Sequence, residues 1–147
     1  MIKLVASDLD GTLLHNYQQT VPKEIYDTIK ALHVKGIIFT AASGRQYANI
    51  RRLFAPLGFD IPYIAENGSM CVYKEEILAT GLTPSKTIRH ILDALMEYRK
   101  IYHTGHCILS VKDTYYSDST DERFIDYMEN DMHNIVTYVP DLYAIKE

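Results

Sequence analysis

Leu4-Val5-Ala6-Ser7-Asp8-Leu9-Asp10-Gly11-Thr12-Leu13-Leu14 is the stretch on which the rest of the chain turns. An apolar run leads into two carboxylates one residue apart, and Gly11 and Thr12 follow at once. A strand ending in Asp-x-Asp-Gly-Thr delivers two acids, backbone N–H groups and a hydroxyl to one point. A phosphoryl group accompanied by a divalent cation needs that set of partners.

Outward from this stretch the pattern alternates. The near-continuous apolar run from Ile2 to Ser7 predicts a parallel strand covered on both faces. Residues 8–19 are polar and read as loop. Pro22 suits a first helical turn, Ile25, Ile29 and Leu32 recur at helical spacing, and Gly36 is a stop. Residues 37–41 form a second apolar strand, so the order is β-α-β and the pair is parallel. Ala42-Ser43-Gly44-Arg45 leads into a helix striped by Ile50, Leu53, Phe54 and Leu57 and closed by Gly58. Residues 62–65 predict a third strand and 66–69 its turn. Short strands over 70–73 and 77–80 flank residues 74–76 as a hairpin.

Composition shifts near Gly81. Thr83-Pro84 reads as a cap and first turn, and Ile88, Ile91, Leu92, Leu95 and Met96 form a helical stripe. Strands are expected over 106–111, 114–116 and 135–139. Ser119-Thr120-Asp121-Glu122 reads as a capping box that opens a helix reaching Met132. The expected organisation is an open α/β sheet over residues 1–81 and an α+β unit over 82–147.

The 147 residues carry a formal net charge of −4 and are 47 % hydrophobic, a soluble globular composition. No basic block favours nucleic acid or an anionic membrane as partner. No leader is visible, and the first apolar run is far shorter than the ~20 residues of a membrane span. Cys71 and Cys107 lie outside any CxxC pattern and read as reduced thiols, so a cytoplasmic location is expected. His103 and His106 beside Cys107 hint at a metal, but no second pair matches the spacing, and a solvated loop is the better reading.

Ligands of open parallel sheets bind beyond the carboxyl ends of the strands. Three such ends carry Asp8 and Asp10, Ser43 and Gly44, and Asn67 and Gly68. Each cluster alone reads equally as a turn or a helix cap; their joint placement points to a site. Asp8, the first residue past the strand, is the nucleophile candidate, because a carboxylate can attack phosphorus to give an acyl phosphate. Asp10 would protonate the leaving oxygen and then deprotonate water. Two acids this close repel, so a cation such as Mg²⁺ is expected between them and the phosphate. Leu9, Gly11 and Thr12 are the expected phosphate-binding loop, Gly11 letting backbone N–H groups face an anion and the Thr12 hydroxyl adding a bond there. Ser43 and Gly44 are expected to open the next helix, at its positive end. Arg45 is either a phosphate anchor or a loop-fixing residue. Arg51-Arg52 read as an exposed helix face.

Asp8-Leu9-Asp10-Gly11-Thr12, Ala42-Ser43-Gly44-Arg45 and Ile64-Ala65-Glu66-Asn67-Gly68 together resemble the haloacid dehalogenase superfamily of phosphatases. The last element is similar to that of the Cof-type, class IIB sugar-phosphate phosphatases. The resemblance implies a Rossmann-like core, N-terminal half only, over residues 1–81 and the beginning of an inserted α/β cap over 82–147. It implies Mg²⁺ dependence and an aspartyl-phosphate intermediate, with Asp8 as nucleophile and Asp10 as acid/base. The metal would be held by the Asp8 carboxylate and the Asp10 main-chain carbonyl. Ser43 would hold the transferring group, Arg45, Asn67 and Gly68 would lie on the substrate side, and the substrate would be a small phosphorylated metabolite such as a sugar phosphate.

The resemblance also has gaps. None of the seven glycines is followed by Asp, so the family's Gly-Asp motif is absent, and Lys146 is not assigned the role of its motif Lys. The expectation is an N-terminal part of such an enzyme with little activity alone. A non-enzymatic phosphate-binding module, or a remnant that self-associates through an incomplete sheet edge, are the alternatives.

Overall fold

The computed structural model describes residues 1–15, 18–112 and 114–145; the Lys146 position therefore lies outside the described residues. Two compact units divide at Gly81 and Leu82.

The first unit holds a five-stranded sheet in the order β1-β2-β3-β4-β5. Strands β1 (Leu4–Asp8), β2 (Ile38–Ala42) and β3 (Tyr63–Ala65) are parallel, with Asp8 beside Ala42 and Ala42 beside Ile64. Strands β4 (Met70–Tyr73) and β5 (Glu76–Thr80) add antiparallel. The β4–β5 turn is tight because Lys74 and Glu75 both adopt positive φ, the requirement of a two-residue hairpin turn. Helices α1 (Lys23–Val34) and α2 (Tyr47–Phe54, continued by a 3₁₀ turn Ala55–Leu57) make the crossovers. Phe54 is 1 % exposed, with its ring 5.9 Å from Phe39 and 6.5 Å from Tyr63. Burying one such ring stabilises the fold by about 1.5–3 kcal/mol.

Strand β1 departs from the expectation of burial on both faces. Among the described residues it is an edge strand whose alternate side chains are exposed, Leu4 by 54 %, and its neighbour Ile38 is 49 % exposed. The apolar run is real; the second covering layer is not there in this unit.

In the second unit α3 (Ser85–Tyr102) precedes a three-stranded sheet in the order β6-β7-β8. Strand β6 (Leu109–Val111) is antiparallel to β7 (Thr114–Ser117), and β7 is parallel to β8 (Val136–Tyr138). Two cap expectations are corrected. Pro84, not Thr83, caps α3, its carbonyl accepting from the amides of Thr87 and Ile88. Asp121, not Ser119, caps α4 (Glu122–Asp126), its Oδ1 accepting from the amides of Arg123 and Phe124. The Ser119 hydroxyl instead meets His106 Nδ1 and the Asp121 amide. Past α4 the chain widens into a π-helical turn, Tyr127–Asp131, and after β8 a 3₁₀ turn, Leu142–Ala144, buries Leu142.

Candidate active site

The β1 strand ends at Asp8, which is exposed, and the chain then turns inward at Leu9, which is fully buried. The Leu9 carbonyl gathers the amides of Thr12, Leu13 and Leu14, and the Gly11 amide donates to the Leu14 carbonyl at 2.7 Å. Gly11 adopts φ +86°, a conformation costly for any residue with a Cβ. The Gly11 and Thr12 amides are thus both bonded inside the turn. The Thr12 hydroxyl remains beside Asp8, donating to Oδ2 at 3.4 Å.

The second strand end also differs from its expected form. Helix α2 starts at Tyr47, with Gln46 as its cap, so Ser43 and Gly44 lie in a loop ahead of it rather than at its positive end. The Ser43 Oγ accepts from the Arg45 amide at 3.2 Å, which closes a local turn and postpones the helix. The same loop ties the third strand end to the second. Ser43 N donates to the Ile64 carbonyl, Asn67 N to the Ser43 carbonyl, and Glu66 N to the Arg45 carbonyl. A Cβ at Gly44 would lie 2.8 Å from Asn67 Oδ1, so a larger residue there would displace the end of the Asn67 side chain. Asn67 itself sits in the left-handed region at φ +57°.

Arg45 completes the junction. Its guanidinium grips Asp10 with two bonds, Nε to Oδ2 at 2.8 Å and Nη2 to Oδ1 at 2.6 Å. Nη1 donates to Gln19 Oε1 at 3.0 Å and to Asn49 Oδ1 at 3.3 Å. The Arg45 side chain is 4 % exposed and that of Asp10 49 %. The geometry ties Arg45 to Asp10, Gln19 and Asn49. Gln19 and Asn49 were not legible as site residues. Only the i, i+4 spacing of Arg45 and Asn49 ahead of the apolar stripe signalled a link.

Asp8 thus ends β1 two residues before Asp10, and Ser43, Gly44 and Asn67 meet at the adjoining loop junction. The Asp8 carboxylate and the Asp10 main-chain carbonyl are oxygen donors of the kind a hard cation takes, and the Asp10 side-chain oxygens are bonded to Arg45. Among the described residues no cluster of three or more His, Cys, Asp or Glu side chains is arranged for a metal. His106 is instead stacked on Phe124, with ring centroids 4.3 Å apart, and burial pushes the Cys107 thiol up. An open groove lined by His33, Phe59 and Tyr73 lies at the starts of β2 and β3, away from these strand ends. No described helix is long and apolar enough to cross a membrane.

Phosphoglycolate phosphatase 1 of Saccharolobus solfataricus is 39 % identical over 77 residues, 52 % of this chain and 34 % of that protein. A Streptococcus mutans protein of known structure superposes with a TM-score of 0.82 at 22 % identity, covering 100 % of this chain and 54 % of the other. A subclass IIB sugar phosphatase superposes with a TM-score of 0.71 at 22 % identity, covering 93 % and 52 %. The two structural likenesses show a shared fold, and the chain spans about half the length of those structures. The profile of the haloacid dehalogenase-like hydrolases matches residues 5–146, and the chain belongs to that family.

Proposed function

We propose that the chain carries phosphoryl-transfer chemistry of phosphomonoester hydrolysis, with Asp8 as nucleophile and Asp10 as acid/base. An Asp8 oxygen bonds to phosphorus as the ester P–O bond breaks, and Asp10 gives its proton to the leaving oxygen. Water then attacks the acyl phosphate, Asp10 takes a water proton, and the Asp8 carboxylate is released with phosphate. The observation that carries this reading is the Arg45 clamp, which fixes the Asp10 carboxylate on the loop that Asp8 begins. Mg²⁺, when bound to the Asp8 carboxylate and the Asp10 carbonyl, supplies positive charge against the phosphate oxygens. Ser43 and the Thr12 hydroxyl serve the phosphoryl group, and Asn67 and Gly68 the substrate side.

Residues 1–81 on this reading are the catalytic core and residues 82–147 part of a cap that screens the substrate. The substrate class is a small phosphorylated metabolite, as for the phosphoglycolate and sugar phosphatases among the similar proteins. Net negative charge and two free cysteines accord with a cytoplasmic setting without nucleic acid. A second reading, self-association through β1, is favoured by the exposure of Leu4 and Ile38 at that edge. Size-exclusion chromatography tests it; a monomer at all concentrations rejects it.

The test of the main reading is incubation with acetyl phosphate and Mg²⁺, followed by intact-mass measurement. Slow incorporation of one phosphoryl group is expected on the wild type, in keeping with little activity of this chain alone, and none on Asp8→Asn. Incorporation that survives Asp8→Asn, or no incorporation at all, rejects the assignment.

A further inference from the structure

Arg45 is almost wholly buried, yet the carboxylate it grips is half exposed. A guanidinium has five N–H groups, and the structure commits four donated bonds, two to Asp10, one to Gln19 and one to Asn49. An arginine so committed is poorly placed to serve as an anchor for an arriving anion. It is well placed to hold a carboxylate, because the planar fork fixes both oxygens at once. Asn49 is 2 % exposed on α2, so the guanidinium is braced from the helix as well as from Gln19. The Arg45 backbone is braced too, its amide on Ser43 Oγ and its carbonyl on the Glu66 amide. Asp10 precedes Gly11 in an exposed turn.

We propose that Arg45 is a positioning residue for both proton transfers of Asp10, and that Asn49 acts through Arg45 by holding the guanidinium in register. The inference rests on the phosphoryl-transfer reading above. When the ester P–O bond breaks, the proton on Asp10 passes to the leaving oxygen. When water bonds to phosphorus and the Asp8–phosphorus bond breaks, a water proton passes to Asp10. Both transfers need a carboxyl group held in one orientation, and Arg45 supplies that hold.

The experiment compares two phosphoryl donors in single turnover by intact mass, with Mg²⁺ present. Acetate leaves acetyl phosphate without needing a proton, whereas the alkoxide of an alkyl phosphate needs one. For Arg45→Met the ratio of the acetyl phosphate rate to the alkyl phosphate rate rises about 100-fold over wild type, the scale of a general acid's contribution. Phosphoenzyme formed from acetyl phosphate also persists longer in the variant, because attack by water has lost its base. Asp10→Asn shows the same two signatures. Asn49→Ala, a milder change that keeps Arg45 and serves if Arg45→Met does not fold, raises the ratio about tenfold. Arg45→Lys recovers only part of the loss, because a point charge cannot fix both oxygens.

Equal slowing with both donors makes Arg45 and Asn49 structural and overturns the inference, as does an unchanged ratio. A wild type that takes no phosphate from acetyl phosphate rejects the phosphoryl-transfer reading and this inference with it.

Discussion

Arg45 grips Asp10 in residues 1–81, and Arg99 grips Asp118 in residues 82–147. Each guanidinium spreads over both carboxylate oxygens, and each spends a further donor on a neighbour: Arg45 on Gln19 and Asn49, Arg99 on the Gly105 carbonyl at 2.9 Å. The bonds are alike and the burial is reversed. In the first pair the cation is 4 % exposed and the carboxylate 49 %; in the second the cation is 23 % exposed and the carboxylate 11 %. A buried arginine presenting a half-exposed acid is a platform for chemistry. A buried acid closed over by arginine is a staple between α3 and the end of β7. The hydrogen bonds from Arg99 hold the Asp118 carboxyl below its ordinary value, and the same bonds push Arg99 up.

The comparison breaks most visibly when either acid is removed. Asp10→Ala leaves the deeply buried Arg45 guanidinium, 4 % exposed, without its counter-charge and is expected to cost about 3 kcal/mol in urea unfolding, although Gln19 and Asn49 stay bonded to it. Asp118→Ala is expected to cost less, about 2 kcal/mol, because Arg99 is 23 % exposed and keeps its bond to the Gly105 carbonyl. The staple also has a pH signature. A carboxyl depressed in the folded state contributes its full stability above its unfolded value, roughly pH 4, and loses it as pH falls through the lower folded value. Wild type is therefore expected to lose more stability than Asp118→Asn between pH 6 and pH 3. Equal losses in the two proteins rule out the staple.

A smaller effect is expected where the two loops touch. Gly44 has no positive φ, so an alanine there meets no backbone strain; its Cβ meets the Asn67 amide at 2.8 Å instead. The obstacle is the end of a movable side chain, so Gly44→Ala is expected to cost about 1 kcal/mol. The displaced group is a substrate-side candidate, and KM for a phosphomonoester should rise with little change in unfolding midpoint. An unchanged KM removes Asn67 from the substrate side.

The alternating layout of residues 1–81 was legible because apolar runs and glycine stops report directly on strands and helix ends. Asp8 and the three strand ends followed from that layout. The donors inside the site were harder to read. Ser43 looked like a helix cap, but its hydroxyl is taken by the Arg45 amide, and α2 begins only at Tyr47. Ser119 looked like a cap for the same compositional reason, while Asp121 performs the capping. Short hydroxyl and carboxylate side chains can satisfy several nearby amides, and sequence does not say which is nearest. The anchor and loop-fixing readings of Arg45 stayed balanced because they differ only in where its donors point. That direction depends on Gln19 and Asn49, residues with no signature of their own.

A third pair isolates burial as the deciding variable. Arg51 Nη2 meets Glu75 Oε1 at 2.5 Å, as short a contact as either clamp makes, but the two side chains are 57 % and 71 % exposed. Water solvates both partners when they separate, and ordering two long side chains opposes the attraction. Arg51→Ala is therefore expected to change stability by less than about 0.5 kcal/mol, and added salt should erase even that. Urea unfolding at low and high ionic strength measures it. A loss above about 1 kcal/mol that survives salt would mean that the bond itself, wherever it sits, sets the energy. The contrast between Arg45 and Arg99 would then need a cause other than burial.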